Sequence, residues 1–172
     1  MRPVWLALAL ALAWVPGRGA EPGTVFLDGG WRAAFLDREH RMGTGFGLGL
    51  AYGANESTEL EMRINYDFLP ARPGRASEGD VEIKAGELAG YFAPYRGDFR
   101  PMIGAHAGLV RLRTDDLRWN FGMDVMALYD FKDIVQLYCA MTPSMLMPGG
   151  SGDANGGVWL RLGLGVRRRL GL

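Results

Sequence analysis

The sequence predicts an all-β fold: an eight-stranded antiparallel up-and-down barrel of the transmembrane kind, with its apolar side chains outside. Three observations carry this expectation. Apolar and polar residues alternate with a period of two through eight successive segments, glycine crowds the polar side of those segments, and the links between them are alternately short and long. Successive side chains of a strand point to opposite faces, so a period of two makes a two-faced strand, and no helix separates residues in this way.

The chain opens with a segment of another character. Arg2 is followed by the apolar run Val4 to Val15, which Pro16-Gly17 ends. A charged start, a short apolar run and a break have the form of a secretory signal, and the run is short for a bilayer span. Residues 1–20 are therefore expected to be a signal peptide and residues 21–172 the barrel domain. Cleavage after Gly19 leaves Gly17 and Gly19 as the small pair, whereas cleavage after Ala20 sets Arg18 where a small residue is wanted.

The first strand, about 24–36, sets Val25, Leu27, Trp31, Ala33 and Phe35 against Asp28, Gly30 and Arg32. The second, 45–53, sets Phe46, Leu48, Leu50 and Tyr52 against Gly45, Gly47, Gly49, Ala51 and Gly53. The third is the clearest: from 59 to 68, Leu60, Met62, Ile64, Tyr66 and Phe68 oppose Glu59, Glu61, Arg63, Asn65 and Asp67. The fourth, about 81–93, starts with Val81, Ile83 and Ala85 opposite Glu82 and Lys84, and then Glu87 falls on the apolar side. A carboxylate against acyl chains is unfavourable, so a β-bulge is expected at Gly86-Glu87. The bulge would turn Glu87 inward with Glu82 and bring Leu88, Gly90 and Phe92 outside.

The fifth strand, about 101–112, sets Ile103, Ala105, Ala107 and Leu109 against Gly104, His106 and Gly108. The sixth, 117–131, runs outward through Leu117, Trp119, Phe121, Met123, Val125, Ala127, Tyr129 and Phe131, with Arg118, Asn120 and Asp124 on the other side. The seventh, about 134–145, sets Val135, Leu137, Cys139 and Met141 against Gln136, Tyr138 and Thr142. The last, from 158, sets Val158, Leu160, Leu162, Leu164 and Val166 against Trp159, Arg161, Gly163, Gly165 and Arg167.

Alternation alone fits a soluble barrel as well, so the faces must be assigned. Glycine on a water-facing strand surface packs nothing, whereas inside a narrow barrel it leaves room for long side chains from facing strands. Aromatic residues gather at the strand ends, Phe35, Tyr66, Phe68 and Trp119 at one rim and Tyr52, Tyr91, Tyr129 and Phe131 at the other, as in the girdles of a lipid-facing wall. Short turns after the second, fourth and sixth strands contrast with the longer polar stretches 70–80 and 148–156. Membrane barrels have short periplasmic turns and longer outer loops.

Composition narrows the function. Without residues 1–20 the chain carries 17 basic and 19 acidic residues, so no basic field exists to hold nucleic acid. A single cysteine, Cys139, leaves no internal disulfide. The expected interior collects a charge network: Asp28, Arg32, Glu59, Glu61, Arg63, Asp67, Glu82, Lys84, Glu87, His106, Arg118, Asp124, Arg161 and Arg167. Seven acids face six bases. Near balance fits a salt-bridged plug that makes the interior solid, while a narrow passive pore whose pairs exchange partners stands as the alternative.

No catalytic, cofactor or metal residues are expected. A lipid-modifying barrel enzyme would need a Ser/His/carboxylate set, and no serine lies near His40 or His106 along the chain. His40 is expected to be a solvated loop residue, and Arg96-Gly97-Asp98 a turn between strands four and five.

The eight segments and the phrase Arg100-Pro101-Met102-Ile103-Gly104-Ala105-His106-Ala107-Gly108-Leu109 resemble the OmpA-like family of outer-membrane barrel domains. Two departures stand out: His106 occupies a position where the family usually has glycine, and Leu172 stands where such barrels commonly end in an aromatic residue. The resemblance implies a monomer in the outer membrane of a Gram-negative cell, with outer-membrane lipid and the barrel-assembly machinery as partners. It implies a structural or surface role. A porin-like pore, a lipid-modifying enzyme and a soluble ligand-binding β-barrel are the alternatives.

Overall fold

The computed structural model describes residues 22–36, 40–74, 79–95, 97–112, 116–131, 134–148 and 157–170. The expected leader, residues 1–20, lies outside them, as do Arg96 and the stretches 37–39, 75–78 and 149–156.

Eight strands follow one another in chain order: β1 (Val25–Phe35), β2 (Gly43–Asn55), β3 (Thr58–Leu69), β4 (Val81–Phe92), β5 (Phe99–Leu112), β6 (Asp116–Phe131), β7 (Val135–Leu146) and β8 (Gly157–Leu170). Each pairs antiparallel with its sequence neighbour, and β8 pairs back onto β1, so the sheet closes as an up-and-down barrel with no free edge. The register is staggered. The walk Val25, Tyr52, Leu60, Gly90, Ala105, Met123, Pro143, Leu160 returns to β1 at Phe35, ten residues beyond its start. Such a stagger tilts the strands by about 35–45° to the barrel axis and keeps the interior narrow enough for side chains to fill.

Links β1–β2, β3–β4, β5–β6 and β7–β8 define one end of the barrel, the loop end; links β2–β3, β4–β5 and β6–β7 define the turn end. At the turn between β2 and β3, the Ser57 backbone N–H donates to Asn55 Oδ1 at 2.9 Å, which closes a tight local turn. On the β3–β4 link, Gly74 and Gly79 adopt positive φ, a conformation that glycine takes without a Cβ penalty.

The barrel is inside-out relative to a water-soluble fold. Leu48, Leu50, Met62, Ile64, Leu88, Ile103, Met123, Leu162 and Leu164 are exposed on the outer wall, while Asp28, Glu59, Glu61, Arg63, Glu87, Asp124, Arg161 and Arg167 are buried inside. The alternation read from the sequence sets this pattern on seven strands. On β4 the reading needs correction. The β3–β4 ladder runs without a break from Leu69↔Val81 to Thr58↔Phe92, so no bulge occurs at Gly86-Glu87. Glu87 is inside by plain alternation, and Val81, Ile83 and Ala85 are inside with it, while Glu82 and Lys84 lie on the outer wall, ion-paired to each other at 3.3 Å. Tyr91 likewise turns inward and leaves the expected girdle. His40, expected in solvent, is buried: it bridges to Ala71, and its Nε2 lies 3.2 Å from the Gly79 carbonyl.

Candidate functional site: the charged lumen

Three layers fill the interior. At the loop end, Ala34, Leu69, Val81, Ile83, Ala85, Val110, Leu146 and Trp159 form one apolar cluster, drawn from the loop-side ends of six strands. Toward the turn end, Ala89, Tyr91, Met102, Met126, Leu128 and Tyr138 form a second along β4 to β7. Ionic and polar groups occupy the space between them and the wall of β8, β1, β2 and β3.

Glu87 is the upper hub. Its carboxylate accepts from Arg63 Nε (2.6 Å), Asn65 Nδ2 (2.7 Å), Asn120 Nδ2 (2.6 Å), Arg161 Nη1 (3.0 Å) and Arg161 Nη2 (2.7 Å). Asp124, across the lumen on β6, accepts from Arg63 Nη2 at 3.1 Å, from the Thr142 hydroxyl at 2.7 Å and from His106 Nδ1 at 3.0 Å. Arg63 thus joins two carboxylates on different strands, and its Nη1 donates to the Tyr91 hydroxyl at 2.6 Å. Arg32 adds a hydrogen bond to Asn65 Oδ1.

Arg167 is the lower hub. It reaches Asp28 through Nε (2.8 Å), Glu59 through Nη1 (2.6 Å) and Glu61 through Nη2 (3.1 Å). The Tyr138 hydroxyl donates to Asp28 at 2.9 Å, and Arg100 Nη1 donates to Glu59 at 3.3 Å. Taking charges out of water costs several kcal/mol per ion, and only close, multiply hydrogen-bonded partners offset that cost. Every donor of the Arg63 and Arg167 guanidinium groups that meets a carboxylate does so at 3.2 Å or less.

Glycine on facing strands makes the network possible. A Cβ at Gly47 would strike the Arg32 guanidinium, one at Gly45 the Asp67 carboxylate, one at Gly108 Glu87, one at Gly104 the Tyr91 ring, and one at Gly30 or Gly165 Tyr138. A small cavity, of the order of one water in size, lies among Asp28, Arg32, Glu61, Arg63, Thr142 and Arg161.

Of the network expected from sequence, Asp28, Arg32, Glu59, Glu61, Arg63, Asp67, Glu87, His106, Asp124, Arg161 and Arg167 are buried in the lumen. Arg118 follows the inward alternation of β6 but is only half-buried near the loop end. Glu82 and Lys84 are outside. Sequence reasoning placed Asn65, Asn120 and Thr142 on the inward faces without counting them in the network, and it missed Ser144 and Arg100, whose side chain is buried at the turn end.

Ser144 completes a further arrangement. His106 Nδ1 donates to Asp124, which can only accept, and His106 Nε2 lies 2.9 Å from Ser144 Oγ. Residues far apart in the chain meet because His106 pairs across to Gly122 and Gly122 to Ser144, and the glycine leaves the space between them open. The connectivity is that of a Ser–His–Asp triad. The setting differs: Ser144 is buried, Arg161 Nη2 also donates to its Oγ at 3.2 Å, and the apolar cluster with Trp159 lies directly above. Among the described residues no group of three or more His, Cys, Asp or Glu is arranged to hold a metal ion.

No protein-family model matches the chain, and no curated protein sequence matches it. Solved structures share the fold. Neisserial surface protein A superposes with a TM-score of 0.63 at 15% identity, over 86% of this chain and 96% of that one. Ail, the attachment invasion locus protein of Yersinia pestis, gives 0.53 at 13% identity, over 87% and 99%. A de novo designed transmembrane β-barrel gives 0.55 at 10% identity, over 88% and 99%. With its apolar outer wall, the chain has the fold of an eight-stranded transmembrane β-barrel.

Proposed function

We propose that this chain is a small outer-membrane β-barrel with a structural or surface role, whose lumen is plugged and does not conduct. The outer-membrane setting is supported by the neisserial and Yersinia barrels that share its fold and by the apolar outer wall. The plug rests on one observation: Glu87 and Asp124 are tied through Arg63, Arg161 and His106 across the full width of the lumen, beneath an apolar layer closed over by Trp159. Ion passage would require breaking several of these pairs together, and would then meet apolar side chains that offer an ion no ligands. Planar-bilayer recording of the refolded chain tests this. Silent bilayers are expected, with stepwise conductance after Trp159→Gly combined with Glu87→Ala; steady channels from the unaltered chain would contradict the plug.

One observation favours a second reading, a serine hydrolase built on the Asp124–His106–Ser144 array. A nucleophile must reach substrate, and Ser144 Oγ is enclosed by Arg161, His106 and the loop-end apolar cluster. We therefore assign the array to the lumen's hydrogen-bond network. A fluorophosphonate probe is expected to leave Ser144 unlabelled in the folded barrel; stoichiometric labelling lost in His106→Ala would establish the enzyme instead.

A further inference from the structure

The outer wall is apolar with few exceptions. Among the described strand residues, the charged side chains that point outward are Glu82 and Lys84 on β4, Arg111 on β5 and Arg168 on β8. Three of the four lie together at the loop end. Lys84 and Arg111 face each other as a register pair across β4 and β5. Lys84 Nζ stands 5.8 Å from the centre of the Tyr66 ring and 3.3 Å from Glu82. Arg111 is exposed and has no acidic partner among the described residues.

Such a pair is costly at mid-depth in a bilayer and tolerable only at the interface. Its surroundings fit the interface: Tyr66 is beside Lys84, and Trp119 on β6 pairs with Leu109, one outward step below Arg111. Directly beneath the two cations the next outward pair is Gly86↔Leu109, and a Cβ at Gly86 would meet nothing within 4 Å. Two adjacent cations therefore crown an apolar wall that steps inward below them.

We propose that Lys84 and Arg111 bind the phosphate of an anionic membrane lipid on the outside of the barrel at the loop end, which rests on the membrane reading above. The Arg111 guanidinium supplies a planar fork for two phosphate oxygens, and Lys84 supplies a point charge. Glu82 partly neutralises Lys84, and Tyr66 flanks the ammonium through its ring face. Acyl chains attached to that phosphate run down the wall at Gly86, Leu88 and Ala107. A free phosphate ion would gain nothing from that wall, so the ligand is a lipid.

The test uses native mass spectrometry of the full chain released from zwitterionic micelles. Bis-phosphorylated lipid A, dephosphorylated lipid A and phosphatidylglycerol are offered in separate arms, and heat-dependent gel mobility on the same samples reports the folded barrel. Retention of one or both phosphate-bearing lipids is expected, with dephosphorylated lipid A bound at least about tenfold more weakly. The two phosphate arms identify which lipid class is the source. Lys84→Gln with Arg111→Gln should abolish the preference, Arg168→Gln at the turn end should leave it unchanged, and Glu82→Gln should strengthen retention by freeing Lys84. Equal retention of dephosphorylated lipid A, or an unaltered preference in the folded double variant, overturns the lipid site while leaving the barrel in place. A chain that never enters micelles or vesicles overturns the membrane reading itself.

Discussion

Glu87 accepts five hydrogen bonds, whereas Asp67, buried on the neighbouring strand, has none to either carboxylate oxygen. Two inward acids with such different surroundings should respond oppositely to loss of charge. Glu87→Gln leaves Arg63 and Arg161 without their shared carboxylate and should cost about 3–5 kcal/mol. Asp67→Asn gives up no hydrogen bond, removes a poorly compensated charge, and should change stability by less than about 1 kcal/mol. Urea unfolding in lipid vesicles measures both; equal losses would mean that the two sites are solvated alike. Adding Arg161→Met to Glu87→Gln should recover part of the loss, since contacting groups in one network are not additive. Most of these luminal residues were legible because alternation in a strand sets its polar residues on the face opposite its apolar ones. Ser144 was not, because its nearness to His106 depends on strand register and on Gly122, neither of which a distance along the chain reveals.

Strand β4 shows where alternation misleads. A reading that takes apolar as outside begins at Val81 and Ile83 and then needs a bulge to bring Glu87 in. The ladder is regular, and the exceptions lie elsewhere: apolar residues fill the loop end of the lumen, and a charged pair occupies the outer interface. Strand ends can break the rule because the bilayer's polar interface tolerates charge and the end of a barrel can be stoppered by apolar groups. Strands β2 and β3 were legible throughout because Gly45, Gly47 and Gly49 face Asp67, Asn65 and Arg63 along their whole register. That complementarity is testable at single glycines. Gly122→Ala would drive a methyl into the Pro143 carbonyl and the His106 ring and should cost about 1–3 kcal/mol. Gly86→Ala, outward and unobstructed, should be neutral or stabilising by up to about 1 kcal/mol. Similar losses at both positions would contradict the assignment of faces.

The whole molecule is a closed sheet with its polar groups turned inward, and that inversion separates a membrane barrel from a soluble ligand-binding one. Leu48→Arg, on the outer wall of β2, should therefore cost about 2–4 kcal/mol of folding stability in a bilayer. Three tryptophans of the barrel domain give a more direct reading: Trp31 and Trp119 are exposed on the outer wall, at 54% and 57%, while Trp159 is fully buried in the lumen. The decisive measurement is fluorescence quenching by lipids brominated along their acyl chains, using single-tryptophan variants of residues 21–172 folded into vesicles. Strong quenching of Trp31 and weak quenching of Trp159 is the expected result; Trp159 quenched as strongly as Trp31, or neither quenched, would contradict an inside-out barrel in the bilayer.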